Sequence, residues 1–161
     1  MKHLILMRHG KSSWEQQVFD RERPLKKRGQ TEAKLVAQKF KSLQIQVDGI
    51  YSSPAQRALS TAYIFTDTMD INSQEVTIEN NLYDFSGELV SSVIRGLPDS
   101  KNNIIIFGHN HAFTALANFH GDLYIDNLPT SGLVFMSFKT NHWAKLSKGK
   151  TEHIITPKNL R

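Results

Sequence analysis

The chain has 161 residues, 20 Lys and Arg against 15 Asp and Glu, a formal net charge of +5, and no cysteine. That length suits one domain, residues 1–161, with a substantial core. The composition excludes disulfides and cysteine-based metal centres. With no run of about 18 apolar residues to cross a bilayer, no membrane contact is expected. The first apolar run is short and no small-residue cleavage site follows it, which argues against a secretion signal and for a cytoplasmic setting. The surplus charge reads first as a lysine-rich solvated surface, and it also suits a phosphorylated partner. Lys26-Lys27-Arg28 and Lys145–Lys150 are short clusters without interleaved aromatics, so no nucleic-acid groove is expected.

In chain order, His3–Met7 is a short apolar run of the buried-strand kind. Gln16–Lys27 is charged and irregular, and reads as a loop. From Gly29 to about Leu43, Ala33, Val36, Ala37 and Phe40 recur at helical spacing, with Thr31 placed to help hold the first turn. Gly49–Ser52 makes a brief strand. Ser53-Pro54 opens a helix running to about Asp67 on Ala58, Leu59, Ala62 and Phe65. Glu75–Glu79 alternates like an edge strand, and Leu89–Leu97 is helical. Asn103–Gly108 carries a continuous apolar run suited to a central strand, and Ala112–Phe119 is a helix. Gly132–Phe138 and about His142–Ser147 read as an antiparallel hairpin, with His153–Thr156 adding a strand. Strands alternating with helices predict an α/β fold: a three-layer sandwich, its sheet largely parallel and covered by helices on both faces.

The unusual polar residues collect at one edge of that sheet. Arg8-His9-Gly10 ends the first strand, Gly108-His109-Asn110 ends the apolar strand, and Arg57 sits in the first turn of the helix after Ser52. Ligands of open α/β sheets bind outside the carboxyl ends of the strands. Two arginines and two histidines without cysteine suit an anion, because guanidinium forks match phosphate oxygens. A histidine there can attack phosphorus while the arginines stabilise the transferring group. His111 next to His109 suggests a metal pair, but no carboxylate or third histidine sits at a matching spacing, so no metal and no cofactor are expected.

These motifs resemble the histidine phosphatase superfamily. Arg8-His9-Gly10-Lys11-Ser12-Ser13-Trp14, Pro24-Leu25 with Arg28-Gly29, Ser52-Ser53-Pro54 with Arg57-Ala58 and Thr61-Ala62, and Gly108-His109-Asn110 follow in the family's order. The short length looks most like the small SixA-type phosphohistidine phosphatases. The resemblance implies a phosphoglycerate mutase-like fold and a phosphohistidine intermediate on His9. It implies Arg8, Arg57 and His109 as phosphoryl ligands, with Ser12 as a further phosphate contact or the cap of a turn. Asp84 in Leu82-Tyr83-Asp84 stands where larger relatives carry the acid that protonates the leaving group, and it equally suits a turn with Ser86-Gly87.

The reading that follows is a metal-independent phosphatase acting on a phosphorylated protein, through phosphohistidine, or on small phosphorylated substrates. Little sequence is left for lid insertions, which predicts a shallow, open pocket. A mutase-like phosphoryl-transfer enzyme and a non-catalytic phospho-ligand binder are the alternatives. Nothing in the sequence specifies an oligomeric state.

Overall fold

The computed structural model describes residues 1–161. Its strands are β1 (Lys2–Arg8), β2 (Gly49–Ser52), β3 (Val76–Ile78), β4 (Asn103–Gly108), β5 (Leu133–Phe138) and β6 (Lys150–Ile155). Its helices are α1 (Lys27–Ser42), α2 (Gln56–Thr68), α3 (Glu88–Arg95) and α4 (Ala112–His120). The strands form one 6-stranded sheet in the order β3-β2-β4-β1-β5-β6. The first four in that order run parallel, and β5 is antiparallel to both its neighbours, β1 and β6. No helix is long and apolar enough to cross a membrane.

Side chains alternate across each strand, so β1 and β4 feed two cores. Leu4, Leu6, Ile104 and Ile106 face α3 and α4, packing on Val90, Ile94, Phe113 and Leu116. Ile5, Met7, Ile105 and Phe107 face α1 and α2, packing on Val36, Phe40, Ala62 and Phe65. Burial on both faces explains why these strands are continuously apolar rather than alternating. The result is a three-layer α/β sandwich, with helices covering both faces of the sheet.

The structure departs from expectation in three places. The segment 142–147 is not a strand. It forms a 3-10 turn at Trp143–Lys145, and β6 takes its place beside β5. The indole of Trp143 is fully buried in the α3/α4 core. Its Nε1–H donates to the Lys101 carbonyl at 2.8 Å, and Asp99 accepts its backbone N–H at 2.9 Å. These two bonds to the loop before β4 hold the segment in a turn rather than alongside β5. Helix α2 begins at Gln56, after Pro54, with Ser53 Oγ accepting the Ala55 N–H at 3.2 Å. Helix α1 begins at Lys27, so Thr31 lies inside it and donates its hydroxyl to the Lys27 carbonyl rather than capping.

Candidate active site

Strand register brings the two histidines together. In the β1–β4 pair, Arg8 lies opposite Gly108, so the next residues, His9 and His109, emerge side by side. Their ring centroids are 5.3 Å apart. The backbone of His9 is held from both sides: its N–H donates to the Gly108 carbonyl at 3.1 Å, and its carbonyl accepts the Ser131 N–H at 3.0 Å. Gly10 N–H donates to Thr61 Oγ1 at 2.9 Å, and Thr61 donates to the Arg57 carbonyl at 2.8 Å. The loop bearing His9 is therefore tied to the helix bearing Arg57.

Gly10 is required for close packing. A Cβ there would lie 2.9 Å from the Gly29 carbonyl oxygen and 3.2 Å from Ser131 Oγ, and a Cβ on Gly29 would strike the Lys11 backbone. The two motif glycines thus form one contact between the first loop and the start of α1.

His9 is buried, and its Nδ1 lies 2.7 Å from the Gly10 carbonyl oxygen. A carbonyl can only accept, so Nδ1 carries the hydrogen and Nε2 keeps its lone pair. Burial lowers the imidazole pKa to about 3; the Gly10 carbonyl opposes that shift, while Arg57, Arg8 and Arg23 add to it. His109 is fully buried, and its pKa is also lowered to about 3, first by burial and then by His9 and Arg57. Both rings are neutral at pH 7.

Three arginines meet at the same cavity, about 400 Å³ in volume and lined by Arg8, Arg23, Arg57, Lys11, Ser12 and Asp20 among others. Arg8 Nη1 donates to the Leu128 carbonyl at 2.8 Å. Arg57, almost fully buried, donates from Nη1 to the Asp20 carbonyl at 2.7 Å and from Nη2 to Asp20 Oδ2 at 2.9 Å. Arg23 Nε donates to Asp20 Oδ1 at 3.1 Å, and the Trp14 ring lies 3.4 Å from the Arg23 guanidinium carbon. Asp20 also accepts the Tyr83 hydroxyl at 2.5 Å. Burial works to raise the Asp20 pKa, but Tyr83 and Arg57 pull it down to about 2.

The buried side-chain nitrogens and oxygens that make no hydrogen bond are Arg8 Nε, Arg23 Nη1, Arg57 Nε, His109 Nδ1 and Ser131 Oγ. All belong to this site. An unsatisfied buried donor costs about 1–3 kcal/mol, so their concentration in one place matches a site built for an anion.

Four of the expected residues, Arg8, His9, Arg57 and His109, come together here. Ser12 lines the same cavity and pairs with Leu25 in an isolated antiparallel bridge. The Asp84 carboxylate is turned to the start of α3 and is not among the side chains that line the cavity. Oδ2 accepts the N–H groups of Gly87, Leu89 and Val90, and Oδ1 accepts the N–H and the hydroxyl of Ser86. Burial tends to raise its pKa, but the hydrogen bonds from Val90 and Ser86 outweigh that and lower it. His111 precedes α4, and no group of three or more His, Asp and Glu side chains is arranged to hold a metal ion.

Sequence reading missed Asp20, Arg23 and Tyr83. The available signal was positional: residues 16–27 join two motifs that close on one site, so charges between them lie near it.

Comparison with known proteins agrees with this geometry. Residues 4–92 match the model of the histidine phosphatase superfamily (branch 1). The chain belongs to that superfamily. It is 27% identical over 154 residues to the uncharacterized protein Rv1276c of Mycobacterium tuberculosis, covering 89% of this chain and 93% of that one. Among solved structures it is similar to the protein histidine phosphatase SixA complexed with tungstate, with a TM-score of 0.83, 21% identity and 99% coverage of both chains. The putative phosphohistidine phosphatase SixA from Agrobacterium tumefaciens gives a TM-score of 0.80 at 21% identity, covering 97% of this chain and 98% of that one.

Proposed function

We propose that the protein is a metal-independent phosphatase working by two displacements through a phosphohistidine on His9, with protein phosphohistidine as its principal substrate class. The observation that carries this reading is His9 itself. Its ring is neutral, with Nδ1–H fixed on Gly10, and it leaves a free Nε2 lone pair among unsatisfied cationic donors. In the first step Nε2 attacks phosphorus, the bond to the leaving group breaks, and the positive charge developing on the imidazole is spread by Nδ1–H bonded to Gly10. Arg8, Arg57, Arg23 and His109 hold the phosphoryl oxygens, with Ser12 a further hydroxyl at the same cavity. In the second step water attacks the same phosphorus, the P–N bond breaks, and orthophosphate leaves with His9 restored.

The substrate class follows from the acids. Asp20 is ionised and bound to Arg57, and Asp84 is engaged by α3. Neither carboxyl carries a proton to give at pH 7. An alkoxide leaving group requires such a proton. A phosphohistidine protonated on its other ring nitrogen does not, since breaking its P–N bond releases neutral imidazole, whose conjugate acid has a pKa of about 6.5. The open mouth, where Trp14 is 75% exposed and Phe85 47% exposed, gives room for a protein-borne group. The solved SixA structure is described as a protein histidine phosphatase, which supports the same class.

The test is phosphate release from a phosphohistidine protein, a phosphoramidate, an aryl phosphate and an alkyl phosphate. Alkyl ester turnover should fall far below the first two. Wild type quenched during turnover should carry acid-labile, base-stable phosphate, and His9→Ala should carry none and lose activity by at least about 10³-fold. Full activity in His9→Ala refutes the mechanism.

A further inference from the structure

Ser53 follows β2 and is fully buried, as is His109. Its hydroxyl oxygen has two hydrogen-bond partners: the Ala55 N–H at 3.2 Å and His109 Nε2 at 2.8 Å. The first can only donate. A hydroxyl has one hydrogen to give, so the Ser53 hydrogen has a single acceptor in reach, His109 Nε2.

The opposite assignment fails on inventory. If Nε2 carried the ring hydrogen, Ser53 would accept twice and its own hydrogen would be buried without an acceptor. His109 Nδ1 would then be a buried acceptor facing no donor, since it makes no hydrogen bond in the protein. Each such orphan costs about 1–3 kcal/mol. With the hydrogen on Nδ1, only one group remains unsatisfied, and it is a donor beside His9.

We propose that Ser53 is a positioning residue that fixes His109 as the Nδ1–H tautomer, so that a neutral N–H is offered to the phosphoryl group beside the His9 lone pair. His9 and His109 are then the same tautomer turned end for end. His9 gives its N–H to the Gly10 carbonyl and presents a lone pair. His109 takes the Ser53 hydrogen on its lone pair and presents an N–H. One ring is a nucleophile and its neighbour a donor, although both are neutral imidazoles. The backbone carbonyl and the hydroxyl set this difference.

The catalytic part of this inference rests on the phosphatase reading, but the tautomer is read in the resting protein without turnover. The experiment is long-range 15N–1H NMR of the imidazoles in the full chain, for wild type, Ser53→Ala and Ser53→Thr, with and without inorganic phosphate. Wild-type His109 should show a protonated Nδ1 and an unprotonated Nε2, and phosphate should shift the Nδ1 signals. Ser53→Ala should mix the two tautomers and slow phosphoenzyme formation about tenfold, the scale of one hydrogen bond, with substrate KM changed less than kcat. Ser53→Thr should restore both readouts. An Nε2–H tautomer in wild type overturns the proposal, whatever happens to the variants. So does a Ser53→Ala protein with an unchanged tautomer and an unchanged phosphorylation rate. A wild type with the Nδ1–H tautomer but no turnover of any phosphorylated substrate would refute the phosphatase reading and leave the tautomer assignment standing.

Discussion

Replacing Asp84 separates an acid from a cap. Asp84 is 7% exposed. Oδ2 holds the N–H groups of Gly87, Leu89 and Val90 at 3.0, 3.0 and 3.1 Å, and Oδ1 holds Ser86 N–H and Oγ–H at 3.2 and 3.1 Å. Asp84→Ala strands two donors that are buried, those of Gly87 and Val90, at about 1–3 kcal/mol each before relaxation. Water reaches the half-buried Leu89 and Ser86 groups. The expected loss is about 3 kcal/mol, above the ~0.5–2 kcal/mol of an ordinary exposed helix cap. It leaves a domain of usual stability folded. Asp84→Asn keeps one oxygen for the three helix donors, sets an amide NH₂ against the Ser86 N–H and loses the charge at the helix start, so about 1.5 kcal/mol is expected. Urea unfolding followed by circular dichroism reads both values, with unchanged slopes. Because the folded pKa is depressed, this stabilisation is full above the unfolded value near 3.9 and disappears as pH falls through the folded one. The gap between wild type and Asp84→Ala should therefore close in strong acid. Turnover of a phosphohistidine protein and of an aryl phosphate should stay within about twofold of wild type. An Asp84→Asn protein of full stability that loses only ester hydrolysis would refute this reasoning and make Asp84 a proton donor.

His9 and His109, with pKa values lowered to about 3, should show no imidazole titration by NMR between pH 5 and 8. An unfolded histidine binds its proton near pH 6.5, so each ring makes stability fall as pH drops from about 6.5 toward 3, by at most about 1.4 kcal/mol per pH unit per group. Calorimetry across that window checks the sign. Asp20→Asn keeps an acceptor for Arg57 and removes a negative charge from the cavity wall. Competitive inhibition by inorganic phosphate should tighten about fivefold, or about 1 kcal/mol for a half-exposed charge, and weaker inhibition would mean that Asp20 chiefly orients Arg57. Gly29→Ala should cost about 2–3 kcal/mol in chemical denaturation, because a Cβ would strike the Lys11 backbone and the gain of about 1 kcal/mol in helix propensity does not offset that.

The core strands and the four motif residues were legible because their signals are local. An apolar run such as Ile104–Phe107 has few interpretations, and a motif that ends a strand inherits the geometry of the sheet edge. The late hairpin was misplaced because Trp143 answers to the Lys101 carbonyl and to Asp99, partners about forty residues away that no periodicity reports. The same holds for Asp20. Its neighbours in sequence are charged and irregular, and its meaning comes from Arg57 and Tyr83, which fold back onto it. Asp84 illustrates the reverse case: both a local turn and a resemblance to longer relatives suited it, and the hydrogen bonds its carboxylate makes are the local ones.

The position of β1 in the sheet has a consequence for biosynthesis. Leu4 pairs with Ile104 on one side and Met136 on the other. The ribosome delivers the apolar LILM segment well before either neighbour, β4 or β5, so this strand waits without a partner until they are made. Such long-range pairing slows folding and exposes an adhesive segment meanwhile. A chain released before β4 and β5 lacks His109 and the support for His9, so a truncated product carries a nucleophile without the surroundings that make it reactive.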